Sequence, residues 1–221
     1  MPFNCTVEAE LSSHISRKNA IIAVMKSANA IFQAPPVQLA LGAEWPTELR
    51  QLWTGDQSTV LEGGLMAFEA QHALPLDRVP TTAVWQALLS ARARRQWNTG
   101  GYSYAVASES SPESLTVYHN GQVVLRTPAN TGISDSGTAT GTFPVYDRLR
   151  SQTMQGTNPD GSHYADFVQW VAYFNGGDAV HYMPRASYGS PQSLGCIELP
   201  YTAAEQAWGY LKYGTLVTVL P

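Results

Sequence analysis

The chain has 221 residues, 44% of them hydrophobic and 14% charged, which is the balance of a folded protein and enough length for one large or two modest domains. A formal net charge of -4 and a pI near 5.7 exclude the basic surface that a nucleic-acid backbone demands. Two cysteines, Cys5 and Cys196, in no CxxC spacing, exclude a disulfide framework.

Residues 1–45 show no sustained periodicity, and Pro35-Pro36 would break a helix arriving there, so this stretch is an undetermined segment. After Arg17-Lys18 an apolar run begins at Ala20, but Lys26 interrupts it well short of the ~20 residues that cross a bilayer. It is also too short for a secretory h-region with its cleavage site, so no integral membrane segment is expected.

From Val60 the pattern turns helical. Leu61, Leu65 and Phe68 recur at four and three residues and line one face of a helix that ends near His72, before Pro75. Pro80 and the capping hydroxyls Thr81 and Thr82 open a second helix, with Val84, Trp85, Leu88 and Leu89 at helical spacing and an end among Arg92 to Arg95. Residues 46–97 therefore read as a small helical module. The stretch VLEGGLMAFEAQHALPLDRVPTTAVWQALL resembles the helical peptidoglycan-binding modules of cell-wall proteins, matching them at Ala67, Phe68, Leu74, Asp77, Trp85 and Leu88. Arg78 and Pro80 stand where those modules carry glycines.

Residues 98–101, Asn-Thr-Gly-Gly, read as a linker, and a mainly β domain of residues 98–221 follows. Strands are expected at 102–107, 115–119, 123–126, 142–146, 167–174, 179–182 and 216–220, with Asn120-Gly121 as a two-residue hairpin turn. One late helix covers 201–213, stopped by Gly214. The fold class expected is α+β: a helical module, then a mostly antiparallel, sandwich-like sheet domain carrying a single helix.

The stretch AVHYMPRASYGSPQSLGCIELP, residues 179–200, holds the chemistry. His181 falls at a strand end, and Cys196 follows a loop rich in Gly, Pro and Ser. A thiol with a free pKa of roughly 8.5 becomes a nucleophile when a neighbouring imidazole takes its proton. Gly195 lets the backbone come close to a substrate carbonyl, so the Gly195 and Cys196 N–H groups are candidates for an oxyanion hole. Residue types alone also allow Cys196 to be a small buried hydrophobe and His181 to be structural. A metal site of Cys196, His181, His163 and Asp166 has no HExxH or paired-cysteine spacing behind it, and no cofactor is called for.

The same stretch is similar to the signature of the L,D-transpeptidases with a YkuD-type catalytic domain, an early His followed after a spacer by S-H-G-C-(I/V/L)-(R/N). His181 matches the general base; Ser193, Gly195 and Cys196 match the closing residues, and Ile197 the apolar position. Upstream, Thr138 to Phe143 looks like the family's T-P-x-G-x-F turn with Ala139 in place of proline. Leu194 replaces the family's second His, Glu198 its Arg or Asn, and Tyr182 stands where Gly or Ser often follows the base.

The resemblance implies a cysteine-dependent acyl transfer between donor and acceptor stem peptides of peptidoglycan, outside the cytoplasmic membrane, with the carbonyl of Tyr182 orienting His181. Arg185 is a candidate partner for a stem carboxylate, and Tyr173, Tyr182 and Tyr188 for the walls of a peptide groove. Water as acceptor would make an L,D-carboxypeptidase, and loss of activity would leave a cell-wall binding protein. A general thiol protease lacks its own cysteine context, such as CGSCW.

Overall fold

The structure, a computed structural model, describes residues 45–54, 58–96, 98 and 100–221. Cys5 and nearly all of the undetermined N-terminal segment lie outside them. Three helices come first: α1 Thr47–Thr54, α2 Ser58–Gln71 and α3 Thr82–Ala93. Thr81 caps α3, its hydroxyl accepting the Val84 N–H at 3.4 Å. In the preceding loop Asp77 Oδ1 accepts the Val79 N–H at 2.8 Å, and Arg78 adopts φ +59°, a left-handed conformation at the position where a glycine was expected. Leu65, Phe68, Val84, Leu88 and Ala91 form the small core between α2 and α3. The first helix is an addition to the expected pair.

Nine strands and one helix follow: β1 Ser103–Ser108, β2 Ser114–His119, β3 Gln122–Pro128, β4 Gly141–Pro144, β5 Asp147–Thr157, β6 His163–Asn175, β7 Asp178–Tyr182, β8 Ile197–Leu199, α4 Tyr201–Tyr210 and β9 Leu216–Leu220. They build two sheets, ordered β3-β2-β1-β9-β4 and β5-β6-β7-β8. Most pairs are antiparallel; β1 with β9 and β7 with β8 are parallel. The β2–β3 turn is Asn120-Gly121, with φ +50° and +75° as a two-residue hairpin of this kind requires. Between the sheets lies one core, with Leu115, Val117 and Val219 from the first sheet, Ala172, Val180, Ile197 and Leu199 from the second, and Ala204, Ala207 and Leu211 from α4 and its end. Burying both inner faces and the apolar side of α4 here is what makes this an α+β sandwich.

The helical unit does not stand apart from the sheets. Trp45, Leu49 and Val60 share a buried cluster with Tyr104 and Leu216. At its edge the backbones meet so closely that a Cβ at Gly63 would lie 2.5 Å from the Gly214 carbonyl oxygen, and one at Gly214 only 1.9 Å from that of Gly63. The same Gly214, at φ +79°, follows α4, which ends at Tyr210 rather than at residue 213.

Two strands differ from the sequence reading. The polar strand β5, DRLRSQTMQGT, was not expected, and β6 begins at His163 instead of 167. These strands pair from Asp147↔Tyr173 to Thr157↔His163, a long hairpin in which much of β5 is only partly buried. A strand half in water has no need of the apolar alternation that marks one from its sequence.

Candidate active site

The parallel register of β7 and β8 assembles the site. His181 lies opposite Glu198, and Cys196 is two residues before Glu198, so by the two-residue period of a strand all three side chains turn to one face. That face opens on a cavity of about 800 Å³ lined by Cys196, His181, Glu198, Arg185, Leu194 and, from the β5–β6 hairpin, Gln152, Met154, Tyr164, Asp166 and Tyr173. Thus the unexpected strand β5 supplies one wall of it.

His181 is 3% exposed, and its Nδ1–H donates to the Tyr182 carbonyl oxygen at 3.0 Å. Pinning that nitrogen as the donor leaves Nε2 with its lone pair, the tautomer a proton acceptor needs. Burial pushes the imidazole below its ordinary 6.5, so it is neutral at neutral pH. Burial pushes the Cys196 thiol up to about 12; Asp178 and Glu198 add to the rise, and the Ala179 N–H opposes it. The resting state is therefore a neutral thiol and a neutral imidazole rather than an ion pair.

The loop before Cys196 is held by short hydrogen bonds. Ser193, 2% exposed, donates its hydroxyl to the Cys196 carbonyl oxygen at 2.6 Å and accepts the Gly195 N–H at 3.2 Å. The Gly195 N–H is consequently engaged, which removes it from the pair of oxyanion donors expected from sequence. Ser136 donates its hydroxyl to the Leu194 carbonyl oxygen at 3.0 Å. Gly195 itself has φ +118°, and a Cβ there would sit 2.5 Å from Asp178 Oδ1, so a side chain is excluded by conformation and space alike. Asp178 is tied down in turn by the Ala139 N–H and Asn175 Nδ2, both at 3.3 Å. In the Thr138–Phe143 turn, Thr138 is buried and its hydroxyl accepts the Gly132 N–H at 2.9 Å.

Arg185 is not a free carboxylate receptor. Its Nε and Nη2 close on the two oxygens of Glu198 at 2.7 and 2.6 Å, and Nη2 also reaches the Gln192 carbonyl oxygen at 3.1 Å. The guanidinium fork expected to meet a substrate carboxylate is satisfied by one of the chain's own, buried at 3% exposure. Tyr173 does line the cavity, and Gln152 bonds its hydroxyl. Tyr182 and Tyr188 do not: the Tyr182 ring meets that of Tyr201 edge-on at 5.1 Å, and the Tyr188 hydroxyl donates to the Met183 carbonyl oxygen at 2.6 Å. Nor does His163 join Cys196 and His181, for its ring faces Thr157 at the start of β6.

Sequence reasoning passed over Asp178, Ser136 and Gln152. Asp178 falls between two expected strands, and only the positive φ of Gly195 shows why a small neighbour must face it. The other two become visible only through contacts across long separations.

Among the described residues no helix is long and apolar enough to cross a membrane. The family model of the YkuD L,D-transpeptidase catalytic domain matches residues 103–219. An L,D-transpeptidase from Mycobacterium smegmatis is similar with a TM-score of 0.52 and 26% identity, over 57% of this chain and 61% of that one. For L,D-transpeptidase 3 from Mycobacterium tuberculosis the values are 0.51 and 25%, over 57% and 63%. For a cysteine-to-serine mutant of the Enterococcus faecium L,D-transpeptidase they are 0.50 and 25%, over 54% and 50%. The match thus spans between half and less than two thirds of each of these proteins. No curated protein sequence matches.

Proposed function

This chain belongs to the YkuD family of L,D-transpeptidase catalytic domains, and from that premise we propose that Cys196 carries an acyl group between peptidoglycan stem peptides outside the cytoplasmic membrane. The observation that supports this most is that Cys196 and His181 share one cavity, with His181 Nδ1 tied to the Tyr182 carbonyl so that Nε2 is left as the base. A purely binding surface has no use for a thiol and an oriented imidazole in one pocket.

In the proposed reaction the Cys196 sulfur attacks the carbonyl carbon of an L-centred residue in the donor stem as His181 takes the thiol proton. The Cys196 N–H is the backbone donor assigned to the resulting oxyanion. The C–N bond then breaks, and His181 returns the proton to the departing amine of the D-amino acid, leaving a thioester. An acceptor amine attacks this thioester, gives its proton back through His181 and expels the Cys196 sulfur, so the thiol is restored and a crosslink formed. Ser193 and Gly195 act by holding the loop, Arg185 by holding Glu198, and Tyr173 by walling the cavity. The helical unit is assigned to holding the polymer. Water in place of the amine would give L,D-carboxypeptidase activity from the same acyl-enzyme.

The test is intact-mass measurement after mixing with a carbapenem, whose ring opening mimics donor acylation. Wild type gains one adduct and Cys196→Ala gains none; no adduct on wild type, or one that persists without the thiol, would sink the mechanism. The pH profile adds a second check. Because the His181 pKa is lowered, its base form survives below pH 6.5, so the acid limb of acylation falls below that value. With the thiol raised to about 12, the rate stays level through the mildly alkaline range. A limb rising near the free-thiol pKa of roughly 8.5 would contradict this.

A further inference from the structure

A second cavity, of about 520 Å³, shares no lining residue with the first and lies where α2, the segment before β1 and the turn after α4 meet. Arg148, Lys212 and His119 line it, and no Asp or Glu does. The Arg148 guanidinium lies 4.0 Å from the centre of the Trp208 ring, and Lys212 Nζ and the Arg150 guanidinium each lie 5.8 Å from it. Three cations thus surround one indole. Neither ion pair of the described residues, Arg78–Glu62 and Arg185–Glu198, involves any of them. Arg148 donates to the Trp208 carbonyl oxygen at 2.5 Å, while its buried Nε has no acceptor.

The aromatic ring attracts these charges but does not neutralise them. Burial lowers the proton affinity of Lys212, and the charge of Arg148 lowers it further. His119 is held by its neighbours: one ring nitrogen pairs with Ser103 Oγ at 3.0 Å and the other with Asn120 Nδ2 at 3.2 Å. Arg148 and Lys212 are therefore two cations in a recess that holds no counter-charge.

We propose that this cavity binds a phosphate-bearing ligand, with Lys212 and Arg148 meeting the phosphoryl oxygens and Tyr210 walling the organic part. Two cations converging on one recess balance more charge than a single carboxylate carries, and guanidinium and ammonium together are a recurrent phosphate pair. The cavity is also larger than a phosphate group, which calls for a ligand in which the phosphate is attached to a larger body. The site is independent of the thiol chemistry and of the reading built on it.

The experiment is calorimetric titration of inorganic phosphate into the full chain at constant ionic strength, with acetate as the carboxylate control. Wild type and Cys196→Ala show the same saturable phosphate binding and none with acetate. Lys212→Gln weakens it about tenfold or more, whereas Lys212→Arg and Arg126→Gln, a change on the exposed part of β3, keep it. Without phosphate, Lys212→Gln melts no lower than wild type, since a repelling charge has gone. Titration of glycerol phosphate then separates sources: tighter binding than inorganic phosphate indicates a phosphomonoester, and equal binding indicates that the phosphoryl group alone is recognised. Absence of saturable phosphate binding, equal binding of acetate, or undiminished binding by Lys212→Gln would overturn the proposal.

Discussion

The wall of the Cys196 cavity and the helical unit each bury a glutamate, and they treat it in opposite ways. Glu198, 3% exposed, is gripped at both oxygens by Arg185, so its charge is compensated and its place fixed two residues from the thiol. Glu69, fully buried in α2, has one oxygen without a partner and the other accepting only the Arg78 N–H at 3.3 Å. Burial pushes its carboxyl up to about 7. The helical unit manages its carboxyl by letting it take a proton, whereas the cavity wall holds its carboxylate in a two-point pair with Arg185. Position matters near Cys196, and a charge-assisted pair fixes position better than a neutral acid does.

Arg185→Ala should sharpen this contrast most, because it leaves buried Glu198 without its partner. We expect a loss of about 3 kcal/mol in denaturant unfolding, the scale for breaking a buried pair from one side. Replacing both partners, Arg185→Met with Glu198→Leu, should recover most of it. A cost no greater than that of Arg78→Ala, which opens an exposed pair, would erase the distinction. Ser193→Ala comes next: losing the bonds to the Cys196 carbonyl and the Gly195 N–H should cost about 1 kcal/mol and slow carbapenem acylation by roughly tenfold. Unchanged acylation would mean that the loop holds its shape without that hydroxyl.

The smallest effect belongs to Glu69→Gln, and it depends on pH. A carboxyl raised in the folded state contributes stability fully present below its unfolded value of 4.5 and lost as pH rises through about 7. The variant should therefore melt roughly 2–4 °C above wild type at pH 8 and show no such gain at pH 4.5. Thermal melts at the two pH values decide it, and a gain that is the same at both would place the effect elsewhere.

Much of the fold was legible because local rules decided it. The Asn120-Gly121 turn, the Thr81 cap of α3, the apolar strand β9 and the late helix each carry their signal within a few residues. Strand β5 did not, because its neighbour β6 and not its own pattern makes it a strand. Of the site, Cys196, His181 and the Tyr182 carbonyl were recognisable from one short stretch, and they lie together as expected. Arg185, Tyr182 and Tyr188 were read as substrate-facing, yet each is turned towards the chain itself. Side-chain direction depends on partners far away in sequence, and an Arg reads the same whether its carboxylate comes from a ligand or from residue 198.

By itself the sequence determined which residues are candidates to react, because thiol and imidazole are properties of residue type and their loop and strand settings are written locally. Only the tertiary structure decided how they are poised. The parallel register of β7 and β8 sets Glu198 beside His181, and burial keeps thiol and imidazole neutral. The packing of α4 against β6 and β7 brings Trp208 to where Arg148, Arg150 and Lys212 gather around it. Burial and charge are sums over neighbours that the chain meets only once folded, which is why no short stretch of it could state them.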